Sequence, residues 1–484
     1  MNNKIISCLV VCSFMLLLLQ LSSCTKNQFI TNPGAGLEFE LDTLTFDTVF
    51  TQLGNATRRV KVYNRHNQPI QVSNVYLGGG EASDFNINID GYSGHSTTNV
   101  EIPAKDSIYI FATVYIDPNN GNSVREDSIV FQTEGGGSQS LQLYAYGWNA
   151  IYIGQVGFET LITSNVTLTP AQPYIFMGRI RFRDACLTIQ GGTEIFMFGG
   201  PSTQPGGRAL IYIDSNACIK SNVNGYLDNP VEIKTHRLET DYQLITFHHQ
   251  GIFLSNFSRD NQIHGTIIRN GVDGIQVEGG SSNGNPKLEI KNSYIYNVER
   301  AGIIAVQADI KAENLVIANS NQYNLVTIYG GTYEFEHCTF ANYGAGLVTR
   351  SEPIISVRDF YIDADKVVFV NNDPSYARFT NSIIYGTRRE ETEVLLGDQA
   401  GNPNFEVNFD YCLMRLDTFT QGVQPTTITN RQPLFVDTEE FNYEIDSLDS
   451  PAYQAAVPRS LFRDANNKAR SSNTPSMGAY EIGN

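Results

Sequence analysis

One short phrase recurs through the second half of the chain and limits the fold more than any other feature. It reads GTIIRN ending at Asn270, NSYIYN at Asn297, NLVIAN at Asn319, HCTFAN at Asn342 and NSIIYG at Gly386. The intervals are 27, 22, 23 and 44 residues, the last read as two turns of 22. A period near 22, rich in β-branched and aromatic side chains, predicts a coil of stacked parallel strands. Stacking the phrases aligns Ile268, Ile295, Ile317, Phe340 and Ile384, and two residues earlier Thr266, Ser293, Leu315, Cys338 and Ser382. Side chains alternate along a strand, so these two columns share one side, the expected core. The column Gly265, Asn292, Asn314, His337 and Asn381 faces the other way. His337 and Cys338 thus occupy opposite faces of one strand, and the adjacent pair does not read as a nucleophile with its base. A second apolar step follows each phrase, at Gly274-Ile275, Gly302-Ile303, Asn324-Leu325 and Gly346-Leu347.

Upstream, RIRFRDACLTIQGGTEIFMFGG and ALIYIDSNACIKSNVNGYLDNPVEIKT read as earlier turns, and GIFLSNFSRDNQIHGTIIRNGVDGIQV as middle ones. They resemble the turns of right-handed parallel β-helix proteins of the pectate-lyase-like kind. Downstream, Pro433-Leu434-Phe435, Asp449-Ser450-Pro451-Ala452, Asp464, Arg470 and Met477-Gly478-Ala479-Tyr480-Glu481 resemble the closing segment of many bacterial members. The resemblance implies a β-helix over 150–431 and a capping segment over 432–484, in which Asp464 and Arg470 have a structural role. Lyases, hydrolases, adhesins and binding proteins share this fold, so it does not choose a reaction.

Residues 36–147 alternate apolar and polar in short runs, LTFDTVF, RRVKVYN, PIQVSNVYL, SIYIFATVYI, DSIVFQT and SLQLYAYG, separated by turns such as NRHNQP and DPNNGN. That rhythm predicts an antiparallel sandwich. The order of strands, with Asn64 opening a turn, Pro103 before a strand and Pro118 after the next, resembles the immunoglobulin-like domains of the ASPM/SPD-2/hydin and major-sperm-protein type. It implies a spacer or binding module. The expected fold is therefore all-β, an immunoglobulin-like β-sandwich followed by a right-handed parallel β-helix. Asp117-Pro118-Asn119-Asn120-Gly121 lacks a full calcium-ligand series and reads as a turn.

The first 23 residues, MNNKIISCLVVCSFMLLLLQLSS, join an early cation to an apolar stretch and small residues, the pattern of a secretory leader. Leu21-Ser22-Ser23-Cys24 resembles the bacterial lipobox, which implies removal of 1–23, acylation of Cys24, a tether over 24–35 and anchoring to the outer membrane. No acidic cluster follows Cys24, so periplasmic and surface-facing orientations both stay open. The remaining cysteines, Cys186, Cys218, Cys338 and Cys412, lie far apart without metal-ligand spacing and read as mostly buried thiols. A formal net charge of −17 without any basic run disfavours nucleic acid as a partner. Thr43, Thr48, Ser107, Ser128 and Ser447 each follow an aspartate and precede an aliphatic residue. They resemble the O-glycosylation tripeptides of Bacteroides-type envelopes.

Chemistry on the coil is sought on the edge after the phrase, where successive turns present Asp273, then Glu299 with Arg300, then Tyr323, then Tyr343. Stacked turns lie about 4.8 Å apart, so Asp273 and Glu299 would approach the separation of about 5–5.5 Å used by retaining glycosidases. Arg300 would neutralise a substrate carboxylate in a lyase. The same residues also fit solvated turn charges. Tyr294, Tyr296, Tyr323 and Tyr343 are candidates for a sugar-binding strip, because flat rings cover sugar faces. A protein contact would look the same. No NTD, GHG or RIK triplet of the polygalacturonases occurs. Asp363 and Asp365 share a face and are weak candidates for Ca²⁺, while adjacent His248 and His249 point apart. No cofactor is otherwise implied. The reading is an envelope lipoprotein that binds polysaccharide or an envelope partner. A polysaccharide lyase or glycoside hydrolase, and a structural spacer or adhesin, are the alternatives.

Overall fold

The computed structural model describes every residue except 1–27, 55–56, 90, 121–122, 201–205, 282–283, 345–349, 351, 364, 372, 388–392, 398–401, 418–420 and 483–484. The leader and Cys24 lie outside the described residues, as do Gly346 and Leu347. The described residues are all-β apart from single-turn helices, and the chain divides into two compact units, Met1–Asn149 and Ala150–Asn484.

The first unit is built from two five-stranded sheets that share one core. One sheet runs Glu38–Phe39, Arg58–Tyr63, Ser107–Val114, Phe85–Ile89, Tyr92–Gly94, and the other Thr43–Phe50, Ser138–Trp148, Ser123–Thr133, Ile70–Leu77, Ser96–Ile102. All pairings are antiparallel except that of Thr43–Phe50 with Ser138–Trp148. Alternation sends Val60, Val62, Phe85 and Ile110 from one sheet, and Phe46, Val72, Val75 and Phe131 from the other, into a common interior. Asn64 holds the turn that the sequence marks: its Nδ2 donates to the carbonyls of Gln68, Ile102 and Pro103.

The second unit is a coil of parallel strands. Through most of it each strand pairs with the third strand onward, which makes three long parallel sheets. The first sheet contains the recurring phrase, in strands Thr266–Arg269, Tyr294–Tyr296, Val316–Ala318, Thr339–Asn342 and Ile383–Gly386. Ile268, Ile295, Ile317, Phe340 and Ile384 pair in direct register and are fully buried, as the repeat predicts. Each such side chain contributes about 2 kcal/mol by leaving water. Phe340 pairs with Ile384 itself, so the 44-residue interval is one turn with an insertion. The insertion carries the antiparallel hairpin Phe360–Ile362 and Val368–Val370. Period arithmetic alone does not separate two turns from one enlarged turn, whereas strand register does.

Every phrase opens at a corner with one residue in the left-handed region: Gly265, Asn292, Asn314, His337 and Asn381 have φ of 45° to 53°. Glycine and asparagine tolerate that conformation best, which explains their column. At four of the five corners the next side chain closes the turn by donating to the carbonyl two residues back; at the fifth, Leu315 has no donor. Thr266 reaches His264 O at 2.6 Å, Ser293 Lys291 O at 2.7 Å, Cys338 Glu336 O at 3.5 Å and Ser382 Thr380 O at 2.9 Å. Small polar residues thus sit in the core because the corner leaves a carbonyl for them. Cys338 takes the serine place, and burial raises its thiol pKa.

The asparagine column points away from the coil interior but is buried all the same. Asn314, His337 and Asn381 are at most 1% exposed, because residues of the C-terminal segment lie over them. Asn314 donates to Arg463 O, Asn381 donates to Val457 O, and Gly478 N donates to Asn381 O. The outer faces of the same strands, Tyr294, Val316, Ala318 and Ala341, pack against Tyr443, Ala465, Ala479 and Tyr480. Further along, Ile383 and Leu413 pack against Ile445, Ala452 and Met477. The closing motif supplies the polar side of this contact. Asp464 accepts the amides of Asn466, Lys468 and Glu481, and Glu481 accepts the Ser476 amide and hydroxyl. Arg470, with its side chain 1% exposed, pairs with Glu481 at 3.3 Å and donates to Asn314 Oδ1 at 2.7 Å.

Two of the four cysteines read as thiols are joined instead. Cys186 and Cys218 stand in register on adjacent strands and form a disulfide, while Cys338 and Cys412 are buried and free. Their separation of 32 residues in sequence is one turn in space.

Arg470→Ala strands the Glu481 carboxylate and should cost about 3–5 kcal/mol. Denaturant unfolding should show that loss, and amide exchange should rise first in residues 450–481; unchanged exchange there would refute the anchoring role.

Burial also holds three histidines neutral: His249 at about 4, His236 at about 3, and His337 well below its ordinary value, where the Arg470 charge adds to the effect. The His337 Nε2 accepts from Asn381 Nδ2, which a protonated ring would not do. The unfolded chain takes up these protons below about pH 6.5. The stabilisation is therefore complete above that pH and is lost as pH falls from there towards 3, by up to about 1.4 kcal/mol per pH unit for each ring. His337→Asn places the commonest residue of the column at that corner. It should melt like the wild type near neutrality and lose less stability on acidification, and an equally steep acid loss would contradict the assignment.

Candidate functional site

A second set of left-handed asparagines ends the first-sheet strands, with φ of 67° at Asn270, 53° at Asn297 and 47° at Asn319. The chain turns there and sets residues 271–273, 298–301 and 320–323 on the edge between the first sheet and the parallel strands Asp273–Glu278, Ala301–Glu313 and Tyr323–Glu336 that follow it. The long loop 236–250, between Val231–Thr235 and Gly251–Leu254, lies against this edge. Asn270 Nδ2 donates to Gln243 O and Ile245 O, and Asn297 Nδ2 to Gln243 O, so the asparagine column carries the loop. Arg237 stands 3.7 Å over the Tyr242 ring and is paired with Glu239. Leu244 and Phe247 are 61% and 46% exposed.

The edge carboxylates are already engaged. Asp273 is buried, and both its oxygens accept from Arg300. Glu299 Oε2 accepts from Thr246 Oγ1 at 2.5 Å and from Asn321 Nδ2 at 2.8 Å. Asp273 stands in register with Ala301, so Glu299 sits two residues before the stacked position. The expected stacking of these two acids is corrected by that offset: the Arg300 side chain, rather than Glu299, covers Asp273. One turn on, Tyr323 donates to Glu352 at 2.6 Å, and its phenol pKa is raised by burial and by that carboxylate. Arg350 pairs with the fully buried Glu393 at 2.8 Å. His249 donates to Arg269 O and accepts from Gly251 N, whereas His248 packs against Tyr242 on the loop side.

The tyrosine strip does not form as expected. Tyr294 is 8% exposed, donates to Phe441 O and meets Tyr443 edge-on, so it is closed to a sugar by the C-terminal segment. Tyr296 lies against Phe441, and Tyr343 against Phe435 and Tyr443. Of the four only Tyr323 belongs to the polar edge. Tyr294 and Tyr296 stand on the outer face that the C-terminal segment covers, and Tyr343, one residue past strand Thr339–Asn342, packs against the same segment.

Asp363 and Asp365 lie at the tip of the inserted hairpin, where Asp363 Oδ1 accepts the amides of Asp365 and Val367 as a turn. Among the described residues no three His, Cys, Asp or Glu side chains converge as a cation site. Of the modification tripeptides, Thr43 is exposed and Thr48, Ser107, Ser128 and Ser447 are half-buried. Asp106 and Asp127 each accept the amide of the following serine at 2.7 Å. Sequence reasoning passed over Thr246, Asn321 and Glu352. The available signal was the length of HRLETDYQLITFHHQ, since loops beyond about 12 residues are commonly functional.

No protein-family model matches the chain, and no curated protein does. Among solved structures it is similar to the catalytic domain of a GH87 alpha-1,3-glucanase in complex with tetrasaccharides, with 13% identity over 82% of this chain and 91% of that one, TM-score 0.20. It is similar to a family 123 glycoside hydrolase from Clostridium perfringens, with 10% identity over 28% of this chain and 31% of that one, TM-score 0.19. A protein of unknown function from Porphyromonas gingivalis shares 10% identity over 27% of this chain and 59% of that one, TM-score 0.18. The chain thus spans less than two thirds of the length of the last two. At such TM-scores these likenesses carry no weight for topology or chemistry.

Arg300→Ala leaves the buried Asp273 without its cation. The stability loss should be about 1–2 kcal/mol at neutral pH, reduced because the Arg300 side chain is half exposed. Asp273→Asn in the same background should restore much of the loss; no recovery would show that Arg300 acts through another partner.

Proposed function

We propose that this chain is a cell-envelope lipoprotein that binds polysaccharide on the edge formed by Glu299, Arg300, Asn321, Tyr323 and the loop 236–250, without cleaving it. The observation that carries the reading is that Asp273 is clamped by Arg300 while Glu299 is held by Thr246 and Asn321. Two carboxyls facing each other across a cleft would serve hydrolysis. Fixed, paired polar groups on successive turns instead suit hydrogen bonding to hydroxyls along a chain of sugars. The exposed Leu244 and Phe247 beside them add apolar contact for sugar ring faces.

The rest of the proposal follows the sequence. The leader and lipobox support acylation of Cys24 and an outer-membrane location, the parallel coil supports a right-handed β-helix, and the two-sheet unit supports an immunoglobulin-like module. O-glycosylation of the Asp-Ser/Thr tripeptides belongs to the same picture, most readily at exposed Thr43.

A panel of uronic-acid and neutral polysaccharides tests the function. Retention on a glycan array without turnover, weakened in Arg300→Ala, is the expected result. Unsaturated ends that disappear in Arg300→Ala would replace the proposal with a lyase, and reducing ends lost in Glu299→Ala with a hydrolase. Palmitate labelling that survives Cys24→Ala would sink the anchor.

A further inference from the structure

The first unit carries a face that neither the coil nor its edge explains. On strand Ser107–Val114 and just beyond it, Tyr109, Phe111 and Tyr115 point away from the sandwich core and are 39%, 41% and 55% exposed. Alternate residues of a strand lie about 7 Å apart, so the three rings span about 20 Å. The Tyr109 and Phe111 rings stack, with centroids 6.2 Å apart and planes inclined by 25°, and make one aromatic rail. Scattered exposed aromatics need no explanation, but a row along the centre of a sheet does.

Both neighbouring strands present polar groups to this rail. On Arg58–Tyr63, Arg59 stands directly beside Phe111 and Lys61 beside Tyr109, with their charges 5.4 Å and 5.0 Å from the Tyr109 ring. On Phe85–Ile89, Asn88 stands beside Phe111 and Asn86 beside Thr113. Ser93 lies beyond Asn88 on the next strand and accepts from its amide at 2.6 Å. Thr57, Asn86, Asn88, Ser93, Phe111 and Thr113 line an open cleft of about 320 Å³. This falls within the range of about 300–1,000 Å³ of small-ligand clefts.

We infer that this sheet face is a glycan-binding site separate from the coil edge, and that its ligand is a polysaccharide bearing carboxylate groups. Aromatic rings cover the C–H faces of sugars, and the amides and hydroxyls of the cleft match sugar hydroxyls. Arg59 and Lys61 supply the charge that an acidic sugar needs, on a chain whose formal net charge is −17. A protein partner fits less well. The centre of a protein interface is apolar and closely packed, whereas five of the residues lining this cleft carry side-chain amides or hydroxyls, whose remaining hydrogen-bonding capacity an apolar partner would leave unmet.

The test is affinity electrophoresis of the full chain through gels containing polygalacturonate or a neutral β-glucan, with melting curves as a fold control. The wild type should be retarded by polygalacturonate, more than by the neutral glucan, and released as salt rises to about 0.5 M. Phe111→Ala and Tyr109→Ala should each weaken retardation about tenfold with an unchanged melt, as loss of a central aromatic contact does. Arg59→Gln should remove most of the salt dependence. Added to Arg300→Ala at the coil edge, Phe111→Ala should still weaken polygalacturonate retardation about tenfold, because the two sites are separate. Four results would overturn the inference: no retardation of the wild type, equal retardation of wild type and Phe111→Ala, equal affinity for the neutral glucan, or no further loss when Phe111→Ala is added to Arg300→Ala. The last would leave the coil-edge reading intact and remove only this one.

Discussion

The corner that opens each recurring phrase is the constraint on which the rest of the coil depends. One residue turns left-handed, and at four of the five corners the next returns a hydroxyl or thiol to the carbonyl two residues back. Without the first, the strand would run on past the corner. Without the second, most corners would bury a carbonyl with less to satisfy it, at a cost of about 1–3 kcal/mol. Because the corner repeats, Ile268, Ile295, Ile317, Phe340 and Ile384 are forced into one register and one core. The apparent chemistry of His337 beside Cys338 dissolves into two structural roles at one such corner.

The corner also decides where the C-terminal segment goes. Side chains at the left-handed position project from the flank of the coil, and Asn314 and Asn381 offer amide groups there. Arg463, Val457, Gly478 and Arg470 meet them. Arg470 is the joint between the two halves of this contact, since the same guanidinium binds the Asn314 oxygen and the Glu481 carboxylate. Covering the flank removes the adjacent tyrosines from solvent, and the polar edge beyond Asn270, Asn297 and Asn319 is what remains open. The loop 236–250 rests on Asn270 and Asn297, so the same residue type serves both as hinge and as support for the candidate site.

Much of this was legible in one chain. A strand period and a strict alternation identify inner columns because both are local, and the motif at Asp464, Arg470 and Glu481 marks a structural knot because buried charges need partners. Within the candidate site, the edge itself was legible, since Asp273, Glu299, Arg300 and Tyr323 follow the phrase by two to four residues. Their pairing was not. A two-residue offset between Glu299 and Ala301 turns an apparent acid pair into an Asp273–Arg300 clamp, and spacing counted from the phrase does not resolve it.

By itself the sequence determined the all-β class, the parallel coil, its inner columns and the segment that seals it, because these follow from periodicity and from which residues tolerate left-handed backbone. Tertiary structure alone decided the rest. It made the 44-residue interval one turn, joined Cys186 to Cys218, buried Tyr294 and the asparagine flank, and aligned Arg59, Phe111 and Asn88 across three strands. Each of those outcomes is a contact between residues distant in the chain, and such contacts are set by register and by what covers a surface rather than by local spacing.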